Sequence, residues 1–119
     1  MLLSELSVFD GKIIKIESTT SDLKLFFIDW NENKWIITFH EVLSVQSMSI
    51  ENEELSHVQR FENDTFKSIT LEYYSDEVNE RFYSYNFYGV WSDKALLKII
   101  ATSDYSINKC SERDCFGGD

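Results

Sequence analysis

Apolar residues recur at every second position through most of this chain, which is the period of a half-buried β-strand. After the turn signal Asp10-Gly11, Ile14 and Ile16 alternate with Lys15 and Glu17, predicting a strand over residues 12–18. A polar turn follows at Ser18–Asp22. Leu23, Leu25 and Phe27 then fall on one face and Phe26, Ile28 and Trp30 on the other. A strand apolar on both faces must be covered on both. Asp29–Asn33 carries hairpin-loop residues, and Trp35, Ile37 and Phe39 resume the period of two. The segments 23–30 and 34–40 are therefore predicted to pair as an antiparallel hairpin, stabilised by aromatic and β-branched cross-strand contacts. Residues 42–50 continue as a less regular strand, with a bulge expected beside Val45.

The pattern changes at Glu51–Glu62. Leu55, Val58 and Phe61 are three apart among polar residues, which predicts a short helix or turn near 52–62 with Asn52 as its cap. Ile69, Leu71 and Tyr73 alternate again. Asp76–Asn79 forms a turn, and Arg81–Trp91 alternates Tyr83, Tyr85 and Phe87 against Phe82 and Tyr88, so these two segments are expected to form a second hairpin. Residues 95–101 fit either a helix or a strand; the β-rich context and the following Tyr105-Ser106-Ile107 favour strand. The sum is a mainly β chain of about seven to eight short strands, an antiparallel β-sandwich or half-open barrel. Residues 1–109 are expected to form one β-rich domain, and 110–119, with Gly117-Gly118, a frayed tail.

Composition sharpens this picture. At 119 residues there is room for one core. Aromatics reach 15%, which favours pleated surfaces. With no proline and four glycines, the turns must rely on Asn, Asp and Ser. The formal net charge is −10, from 21 acidic and 11 basic residues. Such a surface repels nucleic-acid phosphates and anionic lipids and attracts a basic partner, although acidity also serves solubility alone. No run approaches the roughly 18 apolar residues of a membrane span, and the N-terminus lacks the pattern of a secretory signal, so a cytoplasmic location is expected. Cys110 and Cys115 form half of a zinc pattern at most, and free thiols are expected.

The search for chemistry returns no phosphate loop, nucleophile elbow or metalloprotease motif. His40 and Glu41 are adjacent, but strand neighbours point to opposite faces and cannot form a dyad. His57 lies near Glu53 and Glu54 with no positioned base partner. No enzyme activity, metal or cofactor is expected. The segment 82–91 is the most unusual feature, with six aromatic residues in ten. One set can fill a core, and the other needs a second layer or a partner. The candidate partner-binding residues are Glu51, Glu53, Glu54, Glu62, Asp76, Glu77, Glu80 and Tyr88.

Three segments together, Phe9–Ile16, the hairpin Asp22–Phe27 to Trp35–Phe39, and Tyr85–Trp91 leading into Leu97–Ala101, make the chain resemble small acidic immunity proteins of bacterial polymorphic toxin systems, of the contact-dependent inhibition and Rhs types. The resemblance is one of size, acidity and aromatic strands. It implies a chain that binds and neutralises a cognate toxin domain, often a nuclease with a basic active site, as a monomer or weak dimer. A small-ligand-binding barrel and a protein-interaction module unrelated to toxins are the alternatives.

Overall fold

Eight strands arise where the alternation is strongest. The computed structural model describes residues 1–110. The strands are β1 (Lys12–Ser18), β2 (Leu23–Ile28), β3 (Lys34–Phe39), β4 (Val42–Ser47), β5 (Leu55–Phe61), β6 (Phe82–Gly89), β7 (Ala95–Thr102) and β8 (Tyr105–Cys110). A single helix, α1 (Thr65–Glu72), and 3-10 turns at Leu3–Glu5 and Asn79–Arg81 complete the described elements. All strand pairs are antiparallel, in two four-stranded sheets ordered β1-β2-β3-β8 and β4-β7-β6-β5.

The sheets are joined at a corner. β3 pairs with β8 and, two residues later, its continuation β4 pairs with β7. The long antiparallel pair therefore folds over from one sheet into the other at His40-Glu41 and Ser103-Asp104. The His40 amide donates to the Asp104 carbonyl at 3.0 Å, and Glu41 takes a left-handed φ of 52° to make the bend. At the opposite end, the first sheet is stitched to the second. The Leu55 amide donates to Gly11 O at 2.9 Å, the Asp10 amide to Leu55 O at 2.8 Å, and Lys12 bridges Glu54. Gly11 lies tight against β2, where a Cβ would be 2.3 Å from the Phe27 ring and 2.8 Å from Ile28 O. The result is a sandwich closed at the corner and partly closed at β1, close to the half-open barrel expected.

The inner faces supply one core. Ile13, Leu23, Leu25, Phe27, Ile37 and Phe39 from the first sheet meet Leu55, Tyr85, Phe87, Leu97, Ile99 and Ala101 from the second. Burying each large side chain contributes about 1.5–3 kcal/mol. Phe39 spans the layers, with its ring 4.8 Å from that of Tyr85 and 5.7 Å from that of Tyr105.

Three expectations need correction. The segment 52–62 is not a helix but a turn followed by β5. A bulge between Leu55 and His57 places Leu55 and Val58 on the core face although they are three apart, while Phe61 lies on the outer face. That spacing imitated a helical stripe. The helix lies instead at Thr65–Glu72, where Asp64 Oδ1 accepts from the Lys67 amide at 2.8 Å as an N-cap. Ile69–Tyr73 is consequently not a strand, and the neighbours of β6 are β5 and β7. Cys110 closes β8 and is disulfide-bonded rather than free. Cys115 and the rest of the expected tail, from 111, lie outside the described residues. The β4 bulge falls between Val42 and Ser44, one step before Val45. Residues 95–101 form a strand, as favoured, within β7.

The β2–β3 hairpin loop is organised by one carboxylate. Asp29 Oδ1 accepts from the amides of Asn31 and Asn33, both at 2.9 Å, and Oδ2 accepts from Trp35 Nε1 at 3.1 Å. Burial disfavours its charge, but these hydrogen bonds prevail and hold the carboxyl below its usual range. A depressed folded pKa gives stability that is present above the unfolded value, about 4, and is lost as pH falls through the folded one. Asp29→Asn should lose about 1–2 kcal/mol at pH 7. The gap between variant and parent should narrow in urea unfolding near pH 3, and an equal gap at both pH values would refute this role.

Candidate functional site

The expected partner-binding residues do not form one surface. β6 runs eight residues, roughly 25 Å, from Phe82 to Gly89. Glu54 lies at its far end, where the Val90 amide donates to the Glu54 carbonyl at 2.8 Å, and Glu51 and Glu53 are exposed on the same turn. Glu80 lies at the near end, two residues before Phe82. Glu62 joins Glu80 there, because both line a small hollow of about 120 Å³ with Asn63, Lys67 and Tyr83. Asp76 and Glu77 are exposed on the turn that follows α1. Tyr88 belongs to neither group: it sits on the outer face of the second sheet, its ring stacked on His57 at 4.5 Å.

The near end is assembled by α1. Lys67 and Thr70 face the sheet and are buried, and Thr70 Oγ1 lies 2.6 Å from Ser44 Oγ on β4. The buried Lys67 ammonium donates to the Glu62 carbonyl at 2.6 Å and to Asn63 Oδ1 at 3.3 Å, fixing the chain that enters the helix. Tyr74 donates to the Leu43 carbonyl at 3.2 Å and ties the helix exit to β4. Arg81 holds the following turn, with Nη2 at 2.7 Å from Glu41 and Nη1 at 3.6 Å from Glu77. Its guanidinium pKa is raised, first by the Glu41 hydrogen bond.

The opposite side of this platform is apolar and open. Ile69 is 49% exposed, Tyr73 81% and Val78 55%. Ile69 and Tyr73 are four apart and share one helix face. Glu72, Asp76, Glu77 and Glu80 are exposed along the same stretch of chain. Sequence reasoning found Asp76, Glu77 and Glu80 of this surface but missed Ile69, Glu72 and Tyr73, which it assigned to a strand. The capping Asp64 before Thr65 was the available signal. Charge is also segregated: register places Lys12, Lys15, Lys24 and Lys34 on the outer face of the first sheet with Glu17 as the acid among them.

Each histidine has a side-chain neighbour of its own. His40 Nδ1 lies 3.2 Å from Asp22 Oδ1, while Glu41 turns away to Arg81. His57 is exposed beside Tyr88, with Nδ1 2.9 Å from Ser56 Oγ. Among the described residues no group of three or more His, Cys, Asp or Glu is placed to hold a metal ion. No described helix is long and apolar enough to cross a membrane.

Between the sheets, beside β5 and β8, Leu2, Leu3, Arg60, Tyr85 and Tyr105 line a hollow of about 250 Å³. The N-terminal segment covers this side, and the Leu3 amide donates to the Tyr105 hydroxyl at 2.8 Å. Tyr85 donates to the Thr102 carbonyl at 2.9 Å, and burial pushes its hydroxyl pKa up to about 12. A raised pKa gives stability that is complete below the unfolded value near 10 and is lost as pH rises through about 12. An absorbance titration should therefore show one tyrosine ionising well after the others, and Tyr85→Phe should remove that late step. Retention of the step in the variant would assign it to another residue.

Compared with known proteins, the chain matches no family, no curated protein and no solved structure.

Proposed function

We propose that this chain is a protein-binding module that neutralises a basic partner, in the manner of an immunity protein holding a toxin domain in the cytoplasm. The observation that carries the reading is the run of exposed apolar residues on α1 and its following turn, Ile69, Tyr73 and Val78, interspersed along the chain with the exposed acids Glu72, Asp76, Glu77 and Glu80. An apolar centre with a charged rim is the anatomy of a protein interface. Tyrosine is favoured at the points where such interfaces concentrate their energy. These acids and the net charge of −10 would steer a basic surface towards this face. The resemblance to immunity proteins supplies the kind of partner. The turn carrying Glu51, Glu53 and Glu54, at the far end of β6, lies outside this interface.

The test is co-expression with the C-terminal domain encoded by the neighbouring upstream gene of the source. That domain should arrest growth alone, be harmless with this chain and copurify with it. Tyr73→Ala should weaken the complex by about 2 kcal/mol, chiefly through faster dissociation. Charge reversal of Asp76 and Glu80 should slow association about tenfold and flatten its salt dependence. Reversal of Glu51 and Glu53 should change neither. If the far-end variant loses binding and the Tyr73 variant keeps it, the interface is misplaced; if the pair shows neither rescue nor complex, the immunity reading fails.

A further inference from the structure

The helix α1 covers half of the outer face of the second sheet, over Ser44, Ser84 and Ile100, and leaves the other half open. Register lays one polar row across all four strands of the open half: Gln46, Lys98, Asn86 and Gln59. Gln46, Lys98 and Asn86 of this row, with Tyr88, Leu96, Met48 and Phe61 beside them, line a groove of about 580 Å³. That volume suits a small organic molecule.

Two polar atoms in the groove, Asn86 Oδ1 and Lys98 Nζ, have no hydrogen-bond or ion-pair partner among the described residues. Asn86 is 2% exposed, and its Nδ2 donates to Ser84 Oγ at 3.0 Å. Its Oδ1 makes no hydrogen bond, yet among the described residues no fully buried side-chain polar atom is unpartnered. The oxygen must therefore open onto the groove, where it awaits a donor. Lys98, its cross-strand neighbour, forms no salt bridge; its ammonium lies over the Phe66 ring at 5.9 Å. In a chain of net charge −10 an unpaired lysine inside a groove is a local anion site. Asp64, whose Oδ1 caps α1, and Asp93 also line the groove, together with a second cation, Lys94. Tyr88, held flat by its stack on His57, offers an aromatic surface.

We propose that this groove binds a small aromatic acid that carries a ring N–H or O–H. The carboxylate pairs with Lys98, the donor meets Asn86 Oδ1, and the ring packs among Tyr88, Met48 and Phe61. This goes beyond the partner reading and does not depend on it.

Indole-3-acetate is a suitable probe, read by ¹⁵N–¹H correlation spectra of the labelled full chain. Saturable shifts should centre on residues 86–88 and 96–98 with a Kd of about 0.1–1 mM, a range ordinary for a fragment-sized ligand. Indole-3-acetamide lacks the charge and 1-methylindole-3-acetate lacks the donor, and each should bind about tenfold more weakly. Lys98→Gln should abolish the preference for acid over amide. Shifts centred elsewhere, equal affinity for acid and amide, or no saturation at about 10 mM would each overturn the proposal. Should the variant not fold, the acid, amide and methyl series on the parent chain decides the matter alone.

Discussion

The corner where β3–β4 folds over against β7–β8 is the constraint on which the architecture rests. Phe39 is the last residue of one sheet, and its ring lies against Tyr85 of the other sheet and Tyr105 just past the bend. Because both strands of a hydrogen-bonded pair turn together, neither ladder is broken. His40 bonds to Asp104 across the bend, and Val42 resumes pairing with Ala101. Folding the pair over brings the two apolar faces together. Each sheet alone would leave its inner aromatics in water, so the corner converts two half-buried sheets into one core.

What the corner leaves unsolved is the outer face of the second sheet and the edge at β4. The short α1 addresses both, with Thr70 against Ser44 and Tyr74 on the Leu43 carbonyl. Blocking an edge strand in this way guards against unwanted strand pairing. Eight helical residues cannot span the whole sheet, however. The uncovered half becomes the groove over Asn86 and Lys98. The helix, anchored by the buried Lys67, must in turn present its far side, Ile69 and Tyr73, to solvent. Both candidate surfaces thus follow from one economy: a single short helix on a four-stranded sheet.

The electrostatics follow the same division. Acids gather on the turns at both ends of β6 and around α1, whereas lysines occupy the outer face of the first sheet, where Lys15 lies 4.4 Å above the Phe26 ring. Long cationic side chains can cover apolar strand residues with their stems while keeping the charge in water. Short acidic side chains suit turns, where they also accept backbone hydrogen bonds, as Asp29 and Asp64 do.

Much of the strand content was legible in the residues themselves. The period of two located β1, β2 and β3 nearly to the residue, and the loop Asp29–Asn33 was recognisable because Asn and Asp carry turn chemistry locally. These features depend on interactions within a few residues, and sequence by itself determines them. Where a bulge intervened, as at Leu55–His57, one extra residue changed which face each later side chain took, and a strand resembled a helix. The helix itself, rich in Thr and Ile, resembled a strand until the Asp64 cap is seen in place. The candidate site was legible only as a set of acids. That Glu62 joins Glu80 while Glu51, Glu53 and Glu54 lie at the far end of β6 was decided by the pairing of β5 with β6. The grouping of Asn86 with Lys98 and Gln46 was likewise decided by strand order. Side chains dozens of residues apart become neighbours only through register, and register is set by the packing of the whole core.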